Sequence, residues 1–150
     1  MVAAHILEAK SHGVSGFITT WWGQGSYEDR SFAILLASAE QKDFKVSIYW
    51  ETAPGSGREQ IDGAIADLVY LLSRYGSNRA FLKVDRKPVI FVYGRVMGQV
   101  PLASWAMIIE GAPRLEVFCS SPTVISRLSR ACSTAFILTT IARSQAVAPP

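Results

Sequence analysis

Glu51 closes the stretch Lys45-Val-Ser-Ile-Tyr-Trp-Glu51 and stands directly behind two aromatic residues, Tyr49 and Trp50. A carboxylate in that position can hold hydroxyl groups, tune a neighbouring acid or move a proton. It can also serve only as a helix N-cap or as a loop ion-pair partner. Trp21 and Trp22 end an earlier apolar run, and Tyr93 ends a later one. Other chemistries find less support. Ser56 sits in Gly55-Ser-Gly57 with no histidine after it, so a serine triad is excluded by composition. His5 and His12 are two helical turns apart, too far to share one metal ion. Trp22-Gly-Gln-Gly-Ser26 has neither the dinucleotide glycine spacing nor a phosphate-binding lysine. No cofactor and no metal is expected.

The elements that must position these residues can be read from periodicity. Val46, Ile48 and Trp50 alternate with Ser47 and Tyr49, which predicts a short buried strand over Lys45–Glu51. Gly16-Phe-Ile-Thr-Thr-Trp-Trp22 and Pro88-Val-Ile-Phe-Val-Tyr-Gly94 read as two more strands, and Leu115 to Phe118 as the start of a fourth. Between them, apolar residues recur at helical spacing. Val2 to His12 forms a first helix, stopped at Gly13. A second runs from a Ser26 cap to about Lys42, with Glu28 and Asp29 in its first turn where the helix dipole favours acids. The clearest runs from Gly57 to Tyr75, with Gly76 as its stop, and Pro101 to Ile109 reads as a fourth. Helix and strand alternate throughout, which means a parallel sheet with right-handed crossovers. In such sheets, sites lie at the carboxyl ends of strands, where Trp22, Glu51 and Tyr93 fall.

At 150 residues the chain holds about four βα units, half of a closed eight-unit barrel. The expected fold class is α/β, a partial (β/α)8 TIM barrel over residues 1–118 with an irregular tail over 119–150. Half a barrel exposes strand edges, so self-association is expected. With 49% hydrophobic and 18% charged residues, the chain reads as globular. No run is long and apolar enough for a membrane span, and no signal peptide is recognisable. Up to Phe118 there are 12 basic and 12 acidic residues; Arg127, Arg130 and Arg143 follow with no acid. Three scattered arginines are no footprint for nucleic acid. Cys119 and Cys132 lack metal-like spacing and fix no compartment.

Several stretches together carry a family resemblance. Gly16 to Arg30, Lys45 to Glu51, Leu72-Ser-Arg-Tyr-Gly76, Ala80-Phe-Leu82 and Lys87 to Tyr93 resemble, in order and spacing, glycoside hydrolase family 99, the endo-α-mannosidase-like (β/α)8 barrels. The likeness spans roughly Val2 to Phe118. It implies a retaining hydrolase of α-mannosidic linkages in glycans, with a glycan as its substrate partner. It implies that Trp21, Trp22, Tyr49, Glu51 and Tyr93 border the sugar site, where aromatic faces meet sugar C–H surfaces and a carboxylate meets hydroxyls. Only one of the two adjacent tryptophans is expected to face the sugar, since neighbours on a strand point to opposite sides. The family's catalytic pair lies in a later Asn-Glu-Trp-His-Glu pattern that this sequence does not contain; its last acid is Glu116. The family's first strand, ahead of the first helix, is missing as well. No catalytic residue is therefore assigned, and the chain is expected to be inactive by itself. Two alternatives stay open: a carbohydrate-binding remnant without catalysis, and a non-functional product of a disrupted reading frame.

The tail favours attention to the reading frame. Ten of the last 32 residues are Ser or Thr, acids vanish and periodicity is lost. Read two bases on, codons for Cys132 to Thr140 can spell Phe-Asp-Gly-Ile-His-Thr-Tyr-Asn, which resembles the family's next barrel strand. The same shift on Phe118 to Pro122 permits Leu-Leu-Ile-Ala-Asp, a natural completion of the strand begun at Leu115. A base lost or gained near codon 118 explains both. Sequencing the nucleic acid across that codon should return codons compatible with the shifted peptides, and incompatible codons rule the slip out.

Overall fold

The computed structural model describes residues 2–112 and the strand Glu116–Cys119. The order is α1 (Val2–Ser11), β1 (Gly16–Trp21), α2 (Tyr27–Gln41), β2 (Lys45–Trp50), α3 (Gly57–Tyr75), β3 (Lys83–Val84), β4 (Lys87–Val92), α4 (Gly94–Gln99), a short 3-10 turn (Leu102–Ser104), α5 (Trp105–Gly111) and β5 (Glu116–Cys119). Strands β1, β2, β4 and β5 form a parallel sheet in that order. This is the βα progression of a partial barrel. The composition change in the tail and the frame-slip region beyond Cys119 lie outside the described residues.

β3 is a local addition. It pairs antiparallel with the start of β4 through a two-residue turn in which Asp85 and Arg86 both have positive φ, 49° and 67°. That is the turn geometry that matches strand twist in a hairpin. Just before it, Phe81 bridges Val46 of β2 in parallel, so the hairpin wedges between the lower halves of β2 and β4. β1 meets β2 closely at the same end. A Cβ on Gly16 would lie 2.9 Å from the Lys45 carbonyl oxygen, so only glycine fits there.

One face of the sheet carries the helices, and the large side chains on that face are fully buried: Trp21, Ile48, Trp50, Ile90 and Val92, with Phe32 and Leu36 from α2, Leu68 and Leu71 from α3, and Trp105 and Ile108 from α5. Trp105 meets Trp50 edge to face at 6.3 Å between ring centroids and belongs to the packing. The helix predicted from Pro101 to Ile109 starts later and is preceded by the 3-10 turn. α4 is a separate short helix whose sequence carries no caps and no periodic stripe. Gly76 ends α3 as its stop, with a right-handed φ of −64°. A Cβ there would lie 2.6 Å from the Leu72 carbonyl oxygen and 3.2 Å from Pro88 Cγ, so glycine is required by the helix end itself and also admits β4.

Asp29 joins these layers. The sequence places it as a dipole-favoured acid in the first turn of α2, and its amide does donate to the Ser26 cap at 3.1 Å. Its side chain, however, is buried at 4% exposure. Oδ1 accepts from Trp21 Nε1 at 3.1 Å and Tyr75 OH at 2.8 Å; Oδ2 accepts from Tyr70 OH at 2.7 Å and the Gly25 amide at 3.0 Å. Burial pushes its pKa up, but the bonds from Gly25, Tyr70, Trp21 and Tyr75 outweigh burial and hold it below the ordinary value. Burial and the bond to Asp29 push the pKa of both tyrosines up, which keeps them neutral donors.

The neighbouring pair is the reverse. Asp67 of α3 lies near Trp50, and burial pushes its pKa up to about 6; the Trp50 N–H opposes that and the Asp29 charge adds to it. The N–H favours the charged form by proximity but falls short of hydrogen-bond geometry, so Trp50 Nε1 and Asp67 Oδ2 both lack a partner among the described residues.

Two outcomes follow for stability. Asp29→Ala leaves buried donors unpaired at roughly 1–3 kcal/mol each, so the urea midpoint should fall by the equivalent of about 3 kcal/mol or more. Asp67 behaves oppositely with pH. Above pH 6 it is charged in both states and the folded state bears the desolvation. Between about 3.8 and 6 the folded state holds a proton the unfolded state has lost, so that burden eases as pH falls. Asp67→Asn should therefore stabilise the chain at pH 7, by up to about 3 kcal/mol, and leave it unchanged at pH 4. Urea titrations at the two pH values check this.

Candidate functional site

The pleat decides which strand-end residues share a face. Trp21, Trp50 and Val92 form one row across β1, β2 and β4, and all three point toward the helices. The next residues on these strands are Trp22, Glu51 and Tyr93. Alternation turns them to the opposite face, at the carboxyl rim of the sheet. Backbone bonds continue the ladder into this row: Glu51 N–H donates to the Trp21 carbonyl at 3.2 Å and Tyr93 N–H to the Trp50 carbonyl at 2.9 Å. Trp22 is 48% exposed and Tyr93 41%. Glu51 is half-buried. Tyr49 lies one step below on the same face, and its ring meets Tyr93 edge to face with centroids 5.4 Å apart. Trp22, Tyr49, Glu51 and Tyr93 are thus brought to one rim.

Trp21 does not join them. It is fully buried on the helix face, stacked on Tyr70 and bonded to Asp29, and so belongs to the core. The physical reason is the strand period: two consecutive residues cannot both face the rim.

Arg95 is the rim residue that the sequence reading missed. It opens α4, directly after Tyr93 and Gly94. Its guanidinium lies 5.4 Å from the Trp22 ring centroid, and Nη2 donates to the Glu51 carbonyl at 3.2 Å. One side chain thereby links the ends of β1, β2 and β4. The Glu51 carboxylate has no hydrogen-bond or ion partner among the described residues, which leaves it available. Its carbonyl and amide are both engaged, so the backbone beneath it is pinned. Nothing in the sequence flags Arg95 as special, because a lone exposed arginine in a short helix is ordinary.

The remaining candidates fall elsewhere. Ser56 starts α3 and makes no side-chain cap bond. His12 Nδ1 lies 2.9 Å from the Glu8 carbonyl, at the end of α1. Among the described residues no group of three or more His, Cys, Asp or Glu could hold a metal ion, and no helix is long and apolar enough to cross a membrane.

The βα progression and its strand-end rim define the class by fold: a segment of a TIM-barrel protein. Residues 1–123 match glycosyl hydrolase family 99, and the chain belongs to that family. The solved endo-alpha-mannosidase of this family from Bacteroides thetaiotaomicron superposes with a TM-score of 0.66 at 22% identity, over 87% of this chain and 40% of that one. The same enzyme in complex with bis-tris-propane gives 0.69 at 22% identity, over 87% and 43%. At that identity the likeness speaks for the fold. The chain spans about two fifths of the length of these structures. No curated protein matches it.

Arg95→Ala isolates the rim contact. An exposed cation–π pair is worth about 0.5–1 kcal/mol, so stability should change by no more than that. Trp22 should become more open, read as stronger acrylamide quenching of the tryptophan fluorescence. Unchanged quenching would mean that Arg95 does not shield the ring.

Proposed function

We propose that this chain carries part of the sugar-binding rim of an α-mannoside-directed family 99 barrel, and that it holds a glycan without hydrolysing it. The observation that carries this reading is the single row Trp22, Glu51 and Tyr93, with Tyr49 below it, on the face of the sheet that a barrel turns inward. Trp22 offers a flat apolar face to the C–H side of a pyranose ring, and Tyr49 and Tyr93 offer a second aromatic wall. The free Glu51 carboxylate accepts hydrogen bonds from sugar hydroxyls, and the Arg95 guanidinium holds Trp22 and Glu51 in fixed relation.

Retaining hydrolysis takes two carboxyl groups about 5 Å apart, one as nucleophile and one as acid and base. Glu51 is the only acid that directly follows β1, β2 or β4; Trp22 and Tyr93 take the other two places. One carboxylate supports binding and orientation, and a catalytic pair would have to come from outside these residues. The family match also supports a glycan as partner.

Calorimetry with an α-linked manno-oligosaccharide tests the binding. We expect weak but saturable heat, with Trp22→Ala and Glu51→Gln each weakening affinity about tenfold or more, a loss of about 1.4 kcal/mol. No binding, or binding indifferent to both substitutions, would overturn the assignment of the rim. Turnover of an aryl α-mannoside by the purified chain would overturn the separation of binding from catalysis.

A further inference from the structure

We infer that Arg95 makes the rim selective for a sugar that carries an oxyanion substituent, a phosphate or sulfate monoester, beside the ring that the aromatic residues hold. This rests on the sugar-binding reading of the rim and names the class of sugar it takes. Arg95 follows the Tyr93 strand end by two residues, in the first turn of α4. Its side chain reaches back over the ends of the other two strands. The guanidinium carbon lies 5.4 Å from the Trp22 ring centroid, and Nη2 donates to the Glu51 carbonyl at 3.2 Å. A fixed positive charge therefore stands at the same row that carries the aromatic faces.

That charge is not neutralised by an acid among the described residues, whose ion pairs are Arg58–Asp62 and Arg79–Glu40. Glu51 belongs to the same row, yet Arg95 bonds its main-chain carbonyl and not its carboxylate. Nε and Nη1 of Arg95 have no hydrogen-bond partner among the described residues. A guanidinium meets an aromatic ring with its charge and its flat face, while its N–H donors lie in its plane at the edge. Held over Trp22, it keeps donors free to take two oxygens of a phosphate or sulfate side by side. The ring contact and the carbonyl bond restrict the side chain before any ligand arrives, so less freedom is lost on binding. Neighbouring strands lie about 5 Å apart, so a pyranose lying along the row brings a ring substituent to the guanidinium. The two charged side chains then divide the sugar between them: Glu51 takes hydroxyls and Arg95 takes the oxyanion.

Calorimetry at low salt with mannose 6-phosphate, mannose 6-sulfate, methyl α-mannoside and inorganic phosphate tests the inference. At least one ester should bind about tenfold or more tighter than the neutral mannoside, as a charge-assisted bond allows, and the one that does identifies the oxyanion. Arg95→Ala should bring the ratio of ester to mannoside affinity close to one. A merely structural loosening of the rim lowers both affinities together and leaves that ratio unchanged. Should Arg95→Ala fail to fold, Arg95→Gln, which keeps a donor without the charge, should give the same collapse of the ratio. Equal affinity for esters and mannoside, or a preference that survives the substitution, would overturn the role of Arg95 and leave the rim as a neutral-sugar site. Inorganic phosphate binding as tightly as the ester would overturn it as well, because the anion would then be held without the sugar. No binding of any of the sugars would remove the rim reading and this inference with it.

Discussion

Four donors from three parts of the chain converge on the two oxygens of Asp29: the indole at the end of β1, two tyrosines of α3, Tyr70 and Tyr75, and the amide of Gly25 in the loop between β1 and α2. A buried carboxylate is tolerable only when its lone pairs are taken up, and here each oxygen has two partners. No cation touches the carboxylate itself; the Arg74 guanidinium stands one bond further out, donating to Tyr75 OH at 3.1 Å and lying over both tyrosine rings. The groups in direct contact with the carboxylate are neutral donors, which carry less desolvation penalty than a buried ion pair would. The order of the fold's upper layer follows from this. Trp21 can bond Asp29 only if β1 presents it to the helices, and Tyr70 and Tyr75 can do so only if α3 lies across α2. Fixing Trp21 inward to the helices fixes Trp22 outward to the rim.

The same constraint acts on the next strand with a different result. Trp50 is the row neighbour of Trp21, and Asp67 lies near it as Asp29 lies near Trp21. Yet Trp50 Nε1, Asp67 Oδ2 and Trp105 Nε1 lack partners among the described residues. Two indoles packed edge to face fill the space well, but neither can accept the other's N–H in the way a carboxylate can. Asp67 accordingly sits where a proton is more welcome than a charge. The two sites show what separates a structural acid from a strained one: the number of donors within reach, more than the depth of burial.

Much of the architecture was legible because the strands are short, apolar and regularly spaced, and α2 and α3 carry broad apolar stripes. Ser26 could be recognised as a cap because its chemistry is local. The placement of Trp22, Glu51 and Tyr93 on one rim follows from strand register, which a repeated strand–helix order makes predictable. Asp29 was legible only in part. Its place in the first turn and its bonds from Gly25 and Trp21 are local, but its two tyrosine donors come from 41 and 46 residues away, and no periodicity encodes them. Arg95 was missed for the same reason: its partners Trp22 and Glu51 are distant in sequence, and α4 is too short to announce itself. Gly76 stops α3 where the sequence places the stop, and its lack of a side chain lets the helix end lie against both the Leu72 carbonyl and Pro88.

The rim and the open edges are consequences of one geometry. In a βα progression, the residues that follow the strands converge only because the sheet curves toward closure, and a sheet that curves without closing leaves its inner face and its outer strands uncovered. Tyr49 and Ser47 on β2 and Val89 and Phe91 on β4 sit in the middle of the sheet and are half or fully buried, whereas Ile18 and Thr20 on β1 are not. Exposure on the inner face is therefore concentrated at β1, which pairs on one side only among the described residues. Whatever covers β1 also completes the wall opposite Glu51, because both face the same interior. A site of this kind cannot be finished by local adjustment of its own side chains; it is finished when the barrel is.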